Sequence, residues 1–472
     1  MNLFQKVFRN SGAIILGNGI DAFAGLLLSI ILAKYFGQTD FGKISFLGIF
    51  FFLLAVVDSL WLRPVLIREI AKDESRAAIV VGNGLLIRGL LSAGVLLLFW
   101  GTFLWAGISR EMSLLVLLAS FNMLLSPFIF SYEVVFRSCL GMAELVKIKL
   151  AGNMVTLLLA GLVIFLKGNL YHFFIASIIS ATFLFLASRH YAGRVLRPCF
   201  EIDKALWRSV FVQGWFLGLS ALFIFVYHRV DQIMLFHMQS ASTTGVYAAG
   251  VRLVEWLQVI PLALMSSLLP LLSSSYSSFP ERFEKIYRLS FKYLLIFIIP
   301  VAVGASLFPE TIVTFFYGKE YALASQSFSI LIFAEIFVFL GIVNNTILVA
   351  AEKQSLDPIF TGCSVVVNIL LNLMLIPCYG LTGAAAASLA AYATGPVMGL
   401  FIPATRMYSW SMFYYALRPI CASVIMVIFY FYFHFNIFAA AVFLPVIYIV
   451  SLYGLNSFHK DEVRLASATF EL

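Results

Sequence analysis

Residues 211–238 read FVQGWFLGLSALFIFVYHRVDQIMLFHM, an apolar run that carries Arg229 and Asp231 near its end. The run is long enough to cross a hydrocarbon core of about 30 Å as an α-helix. An ionisable side chain at mid-membrane costs roughly 2.5–3.5 kcal/mol and therefore needs a partner, water or an interface. The stretch predicts a membrane helix and raises the question of what these two charges contact.

Composition extends this prediction to the whole chain. Of the 472 residues, 62% are hydrophobic and 11% are charged, and mean hydropathy is +0.99, whereas soluble domains carry about 25% charged residues. The fold class is predicted to be an all-α polytopic membrane protein, and the net charge of +8 is not a nucleic-acid signal. A sliding apolar window predicts fourteen transmembrane helices, at 12–33, 41–62, 82–104, 113–136, 150–166, 171–188, 209–236, 246–270, 289–308, 324–348, 359–377, 380–402, 415–433 and 436–455.

Lys and Arg residues predict the orientation of these helices. With the N-terminus inside, the inside loops hold 23 of the 31 Lys and Arg residues and the outside loops hold five. This bias predicts that both termini are cytoplasmic. The longest outside loop, at 309–323, has only about fifteen residues. A membrane enzyme would need catalytic groups on a sizeable outer loop, so the chain is predicted not to be an enzyme.

A weak internal repeat divides the chain near its middle. An offset of about 203 residues places LAKYFGQTDFGKISF (32–46) over LFHMQSASTTGVYAA (235–249), with Gly42 on Gly245. Because six spans is an even number, both copies enter from the same side as parallel repeats, and a site is expected between them. The predicted organisation is a six-helix lobe at 1–190, a basic cytoplasmic linker at 191–208, a six-helix lobe at 209–403, and two extra helices with a cytoplasmic tail at 404–472.

Several ionisable residues fall within the predicted spans. Arg252 and Glu255 are three residues apart, so they share a helix face and can pair. Arg229 and Asp231 are two apart and point away from each other, so each needs a partner on another element. Arg88 lies about six residues inside its helix and is expected to snorkel to the surface. The full set is Asp21, Asp58, Arg88, Glu133, Arg229, Asp231, Arg252, Glu255 and Glu335.

The depth of Arg229 separates two interpretations. If the helix enters the membrane near Ser209, Arg229 lies about 30 Å along it and is an interface anchor. If it enters near Leu217, Arg229 lies about 18 Å in, which favours a cationic, water-filled cavity between the two halves. No metal or disulfide is predicted from the five cysteines, which lack a C-x-x-C pair. The candidate substrate-binding residues are Arg229, Asp231, Arg252, Glu255, Arg88, Asp21, Asn18, Asn345, Asn368 and Asn372.

Five short segments resemble the polysaccharide exporter and O-antigen flippase family, which is related to multidrug-and-toxin extruders and the lipid II flippase. They are RVDQIM (229–234), GVYAAGVRL (245–253), NILLN (368–372), IPCYGLTGAA (376–385) and GQTDFG (37–42). With matching length, span number and repeat, the resemblance covers nearly the whole chain. The motifs are structural more than chemical, so they indicate the family better than the substrate.

The resemblance implies a flippase that moves an undecaprenyl-diphosphate-linked oligosaccharide, such as an O-antigen unit of lipopolysaccharide, across a bacterial cytoplasmic (inner) membrane. A cationic cavity agrees with this, because Arg suits phosphate. Membrane lipids, a polysaccharide polymerase and a chain-length regulator are the expected partners, and no cofactor is expected. No G-x-x-x-x-G-K-[ST] loop is present, which leaves H⁺, Na⁺ or the membrane potential for coupling. The alternatives are a small-molecule or drug cation antiporter of the same superfamily and, less favoured, a membrane enzyme.

Overall fold

The computed structural model describes residues 3–105, 110–140, 142–194 and 196–457, so the predicted tail beyond residue 457 lies outside the described residues. Short 3₁₀ and π turns join or interrupt helices in this part of the chain. Within it the α-helices are α1 (Leu3–Val57), α2 (Arg63–Lys72), α3 (Ala77–Trp105), α4 (Arg110–Val135), α5 (Met142–Phe165), α6 (Leu170–Ala192), α7 (Lys204–Met238), α8 (Ala241–Glu255), α9 (Val259–Ser278), α10 (Pro280–Leu307), α11 (Pro309–Tyr317), α12 (Ala324–Ala350), α13 (Asp357–Met398), α14 (Arg406–Phe433) and α15 (Ile437–Gly454).

Polar caps explain why several helices begin where they do. The side chains of Asn169, Asp203, Ser240 and Asn436 accept backbone N–H bonds in the first turns of α6, α7, α8 and α15, respectively. Such side chains satisfy donors that the first turn of a helix leaves free. The connections between long apolar helices can therefore be short.

The helix α1 contains two membrane spans, because the chain reverses at Gly37. This glycine has φ 73° and ψ 179°, a conformation that side chains other than glycine rarely adopt. Ser29 Oγ lies 2.8 Å from the Tyr317 hydroxyl, and the ring of Phe41 lies 6.3 Å from the same Tyr317 ring. In a straight helix, residues 29 and 41 would be about 18 Å apart, so they meet one side chain only because the chain folds back.

The helix α13 reverses in the same way at Gly380, where φ is 55° and ψ is −126°. A Cβ at Gly383 would lie 2.6 Å from the Leu375 carbonyl carbon, so the two arms of α13 are in backbone contact. In the described residues, twelve stretches are long and apolar enough to span a membrane, and two of them, Gly17–Val57 and Gln354–Met398, contain these reversals. The described residues thus supply about fourteen membrane-length helices, which confirms the predicted fold class of an all-α polytopic membrane protein.

The two halves, α1–α6 and α7–α13, meet through a reciprocal contact. A Cβ at Gly42 would lie 2.8 Å from the Ala241 carbonyl carbon, and a Cβ at Gly245 would lie 3.0 Å from the Gln38 carbonyl carbon. Residues 38 and 42 are the equivalents of 241 and 245 under the 203-residue offset. A two-fold axis produces such an exchange of partners, as expected for parallel repeats.

We call the side of the molecule that carries the Lys- and Arg-rich loops the basic face, and the other side the opposite face. On the opposite face the halves are joined by polar contacts: Ser242 Oγ donates to Gln38 Oε1 at 2.9 Å, and the Tyr321 hydroxyl donates to the Ala33 carbonyl at 3.0 Å. The predicted outside loop at 309–323 is mostly helical, because α11 and a 3₁₀ turn fill it. The opposite face is therefore closed where these residues meet.

On the basic face, the linker packs against the start of α3. Asn83 Nδ2 donates to the Glu201 carbonyl at 2.8 Å, and Asn83 Oδ1 accepts from Asp203 N at 3.0 Å and from Trp207 Nε1 at 2.8 Å. Asn83 is fully buried. The Asn83 side-chain amide thus connects both the linker and the first turn of α7 to the first half.

Candidate substrate site

Arg229 is buried in an ion pair. It lies within the span Gly214–Met238, and only 4% of the residue is exposed. Its Nη1 lies 2.7 Å from Glu255 Oε1 on α8, and its guanidinium lies 4.2 Å from the ring centroid of Phe52 on α1. Arg229 is therefore not an interface anchor. In this conformation its charge joins the two halves and is not free for a ligand.

Asp231 has a different set of partners, as the two-residue spacing indicates. The Tyr247 hydroxyl donates to Asp231 Oδ2 at 2.5 Å, Ser388 Oγ donates at 3.1 Å, and the Gln232 backbone N–H donates at 2.7 Å. The residue is 2% exposed. Asp231 thus links α7, α8 and α13, and its carboxylate is held by hydroxyl and amide donors.

Arg252 is the accessible cation of this region. Its Nη1 lies 3.5 Å from Glu255 Oε2, so the three-residue spacing does pair them, but Glu255 is shared with Arg229. The Arg252 side chain is 47% exposed, against 5% for Arg229. One carboxylate between two guanidiniums leaves the group with a positive charge.

A second charged group lies on the first half. Lys149 Nζ on α5 lies 2.9 Å from Asp21 Oδ2 on α1, and Asn153 Nδ2 donates to Asp21 Oδ1 at 2.8 Å. The same Lys149 Nζ lies 3.8 Å from Glu133. Asp21 and Lys149 remain partly exposed, with side-chain exposures of 33% and 26%. This group therefore has an accessible cation and an accessible carboxylate inside the membrane region.

The helices α1 and α9 bring the two groups to the same region. A Cβ at Gly19 would lie 4.0 Å from Val259 Cγ1, which is one turn beyond Glu255. Next to Gly19, Asn18 is exposed, and α9 exposes serines 266, 267, 273 and 274. Three of these serines, 266, 267 and 274, donate to carbonyls one turn earlier in α9, so they add a polar surface without unpaired donors. We call the region lined by Asn18, Asp21, Lys149, Arg252 and Glu255 the polar cleft.

Arg88 does not snorkel as expected, and the prediction is wrong because a buried carboxylate is nearer than the surface. Its guanidinium lies 2.6 Å from Asp58 Oδ1, its Nη1 donates to Ser131 Oγ at 3.1 Å, and it is 3% exposed. Arg63 lies on the other side of Asp58, at 2.6 Å, and reaches Glu133 at 3.3 Å. Arg88 therefore belongs to a buried ionic network of the first half, which continues through Arg63 and Glu133 to Lys149 of the polar cleft.

The three predicted asparagines of the second half also lie away from the cleft. Asn368 and Asn372 are fully buried in α13, and Asn372 Nδ2 donates to Asn368 Oδ1 at 3.1 Å. Asn345 lies beside the Asp357 carboxylate at the first turn of α13. The Asn368–Asn372 bond lies within α13, and no contact in the described residues joins the three asparagines to the polar cleft.

Some site residues were missed by the sequence analysis. Lys149 falls one residue before the predicted span 150–166 and was assigned to a loop, although α5 begins at Met142. Tyr247 and Ser388, the donors to Asp231, lie in GVYAAG and in a run of small residues, which indicated packing only. Gln258 donates to Glu335 at 3.0 Å, a pairing that no sequence spacing predicts.

Comparisons with known proteins agree with this architecture. The family model described as "Polysaccharide biosynthesis protein" matches residues 7–276, and the model described as "MatE" matches residues 217–374. The "Probable low-salt glycan biosynthesis flippase Agl15" of Haloferax volcanii is 25% identical over 192 residues, which are 40% of this chain and 41% of that protein. The "FAD transporter" of Shewanella oneidensis is 28% identical over 234 residues, 48% of each chain. The chain thus matches less than half the length of these relatives.

Solved structures share the fold over most of the chain. The lipid II flippase MurJ, in an inward closed conformation, has a TM-score of 0.70 at 16% identity. The aligned region covers 94% of this chain and 98% of the MurJ chain. A MATE transporter of Vibrio cholerae has a TM-score of 0.62 at 12% identity, with coverages of 88% and 96%. A MOP superfamily transporter of Pyrococcus furiosus has a TM-score of 0.62 at 14% identity, with coverages of 86% and 96%.

Proposed function

The chain belongs to the polysaccharide biosynthesis protein family, whose model covers more than half of it, and we propose that it is a flippase for undecaprenyl-diphosphate-linked oligosaccharides. As a MOP superfamily transporter it is a multi-pass membrane protein. The proposed substrate is an O-antigen or related repeat unit, moved from the cytoplasmic to the periplasmic leaflet of a bacterial inner membrane.

The observation that supports this proposal most directly is the half-exposed Arg252 in the polar cleft. A guanidinium can form two parallel hydrogen bonds to a phosphate, and these bonds are stronger between charged groups. Lys149 supplies a second accessible cation on the other half. We assign the diphosphate to Arg252 and Lys149, and we assign to Arg229 the role of holding Glu255 in place.

The position of the closed contacts supports alternating access as the proposed mechanism. The halves meet at Gly42 and Gly245 on the opposite face, so a substrate cannot leave on that side in this conformation. Parting of the halves there, with closure on the basic face, would expose the polar cleft to the other leaflet. The polyprenyl chain would stay in the bilayer while the diphosphate and sugars cross through water.

Outward flipping by vesicles that contain the full-length protein tests the assignment. The probe is a fluorescent undecaprenyl-diphosphate disaccharide whose label is quenched by a membrane-impermeant reductant. We expect Arg252→Gln to lower the flipping rate about tenfold or more, since a charged hydrogen bond is worth about 1.5–3 kcal/mol. Arg252→Lys should keep part of the rate. Arg282→Gln, an exposed residue at the start of α10, is the matched control. Wild-type flipping by Arg252→Gln would exclude this phosphate contact.

A small-molecule cation antiporter is the second candidate, and the match to the MatE model over residues 217–374 supports it. A cleft with a half-exposed arginine favours an anionic ligand over a cationic one. Efflux of ethidium from the same vesicles separates the two functions. Ethidium efflux without flipping of the lipid-linked disaccharide would favour the antiporter.

Coupling is assigned to Asp231 and to the membrane potential. Asp231 is a buried carboxylate held by Tyr247 and Ser388, with no cation within salt-bridge distance among the described residues. Such a carboxylate can bind H⁺ or Na⁺. We expect Asp231→Asn to remove any dependence of flipping on a pH or Na⁺ gradient, while leaving the effect of the potential. An unchanged gradient dependence in Asp231→Asn would rule out this carboxylate.

The proposed pathway also has a cellular test. Deletion of the gene should make lipid-linked repeat units accumulate in the cytoplasmic leaflet and abolish surface polysaccharide. Co-purification with a polysaccharide polymerase or a chain-length regulator would support those partners. Normal surface glycan in a deletion strain without a substitute flippase would contradict the proposal.

A further inference from the structure

A groove of about 610 Å³ lies between α10 and α14, outside the two-half interface. No residue of the polar cleft lines it. Its lining combines two arginines with aromatic and hydroxyl side chains, chiefly Arg288, Arg406, Trp410, Ser411, Tyr414 and Tyr415. We call it the α10–α14 groove. Neither the substrate assignment nor the fold accounts for two arginines at this place.

The groove lies at the level of lipid head groups on the basic face. Arg418 Nη1 donates to the Asn456 carbonyl at 2.9 Å, and Asn456 follows the end of the last helix on that face. Residues 406–415, which precede Arg418 on α14, therefore lie at the membrane surface or just beyond it. Trp and Tyr side chains concentrate at this depth in membrane proteins.

The arginines leave positive charge available in the groove. Arg406 Nε donates to the Leu400 carbonyl at 3.0 Å, and no carboxylate in the described part of the chain pairs with its terminal nitrogens. Arg288 pairs with Glu284, but 43% of its side chain is exposed. The Nε of Arg288 is buried without an acceptor in the described structure. Two guanidiniums against one carboxylate make the groove complementary to an anion.

An apolar stripe extends from the groove toward the middle of the membrane. Trp410 and Tyr414 are followed on the same face of α14 by Leu417, Val424 and Ile428, at intervals of three, four or seven residues. All five side chains are exposed, at 52–63%. A ligand with a phosphate beside the arginines would have a continuous surface on which to lay an acyl chain. The stripe therefore favours an amphipathic lipid over a free phosphate.

We propose that the α10–α14 groove binds an anionic phospholipid of the leaflet on the basic face, with its phosphate between Arg288 and Arg406. Basic pockets between transmembrane helices are suited to such head groups. The site lies on the second half and the final helix pair, away from the substrate cleft. Bound lipid would join α14 to α10 at the membrane surface.

The test uses the full-length protein and phosphatidylglycerol as the probe, with phosphatidylcholine for comparison. Native mass spectrometry measures retained lipid for the wild type, for Arg288→Gln/Arg406→Gln, and for a control, Arg282→Gln/Lys285→Gln. The control removes the same charge from exposed positions of α10 that do not line the groove. We expect the groove variant to lose at least tenfold in apparent affinity for phosphatidylglycerol, and the control to change less than twofold.

A second measurement does not depend on the stability of the double variant. Quenching of Trp410 by brominated lipid is obtained as the difference between wild type and Trp410→Phe. We expect brominated phosphatidylglycerol to quench Trp410 at least twofold more than brominated phosphatidylcholine does. Equal quenching by both lipids, or an equal loss of affinity in both double variants, would overturn the proposal. Displacement of phosphatidylglycerol by equimolar undecaprenyl diphosphate would also overturn it, because the groove would then serve the substrate.

Discussion

Gly42→Ala inserts a methyl group into the contact that closes the opposite face. Its Cβ would lie 2.8 Å from the Ala241 carbonyl carbon and 3.0 Å from the Gly245 nitrogen, and nearer still to the Ala241 oxygen. Carbon atoms in contact settle at about 3.5–4.0 Å, so the halves must separate by roughly 1 Å or more. Overpacking of this kind costs about 1–3 kcal/mol. If the whole cost falls on the closed conformation, the ratio of molecules open to molecules closed on the opposite face rises by about 5–150-fold.

A disulfide reports this closure. The backbones meet here, since a Cβ at Gly245 would lie 3.0 Å from the Gln38 carbonyl carbon and Ser242 lies one turn before Gly245. We therefore expect Gln38→Cys and Ser242→Cys to crosslink in a background without native cysteines. In a redox buffer, Gly42→Ala should raise the ratio of reduced to crosslinked protein, by at most about 150-fold. Gly48→Ala is the control, because a Cβ there meets nothing within 4 Å. Unchanged crosslinking in Gly42→Ala would refute the role of this close approach.

Two further predictions concern charge. Arg229→Ala leaves the partly exposed Glu255 with only Arg252, so the loss of stability should stay below the roughly 3–5 kcal/mol of a broken, fully buried pair. Arg229→Met/Glu255→Leu should recover most of this loss in thermal unfolding, and a double variant no more stable than Arg229→Ala would contradict the ion-pair explanation. Collapse of an inside-negative membrane potential in loaded vesicles should slow outward flipping, since moving two phosphate charges outward gains about 4–5 kcal/mol per 100 mV. Equal flipping rates with and without the potential would exclude an electrophoretic contribution.

The span number, the parallel repeat and the separate partners of Arg229 and Asp231 follow from sequence because each depends on a local rule. Length and hydropathy determine the spans, and helical spacing determines which side chains share a face. The spacing of Arg252 and Glu255 likewise predicts their contact, which the structure confirms at 3.5 Å.

The accessibility of each charge depends on tertiary packing and is not predictable in this way. The partner of Arg88 is Asp58, which lies 30 residues earlier in the chain, in the π turn that follows α1. The burial of Arg88 therefore depends on how α3 packs against that turn. Arg229 and Arg252 look equivalent in sequence, yet one is 5% and the other 47% exposed at the side chain, because only Arg229 points toward Phe52. Which of these arginines a ligand can reach is therefore visible only in the structure.

The exchange of partners between Gly42 and Gly245 also bears on the ancestry of the chain. A six-helix precursor that formed a symmetric dimer would place each glycine against its own copy, so a single substitution would alter the interface twice. After fusion, each position can change independently. Equivalent positions of the two halves both carry glycine at this contact, whereas the charged groups differ, with a lysine–aspartate pair on one half and an arginine–glutamate group on the other. The two halves are thus alike where they close on each other and differ where the proposed substrate would bind.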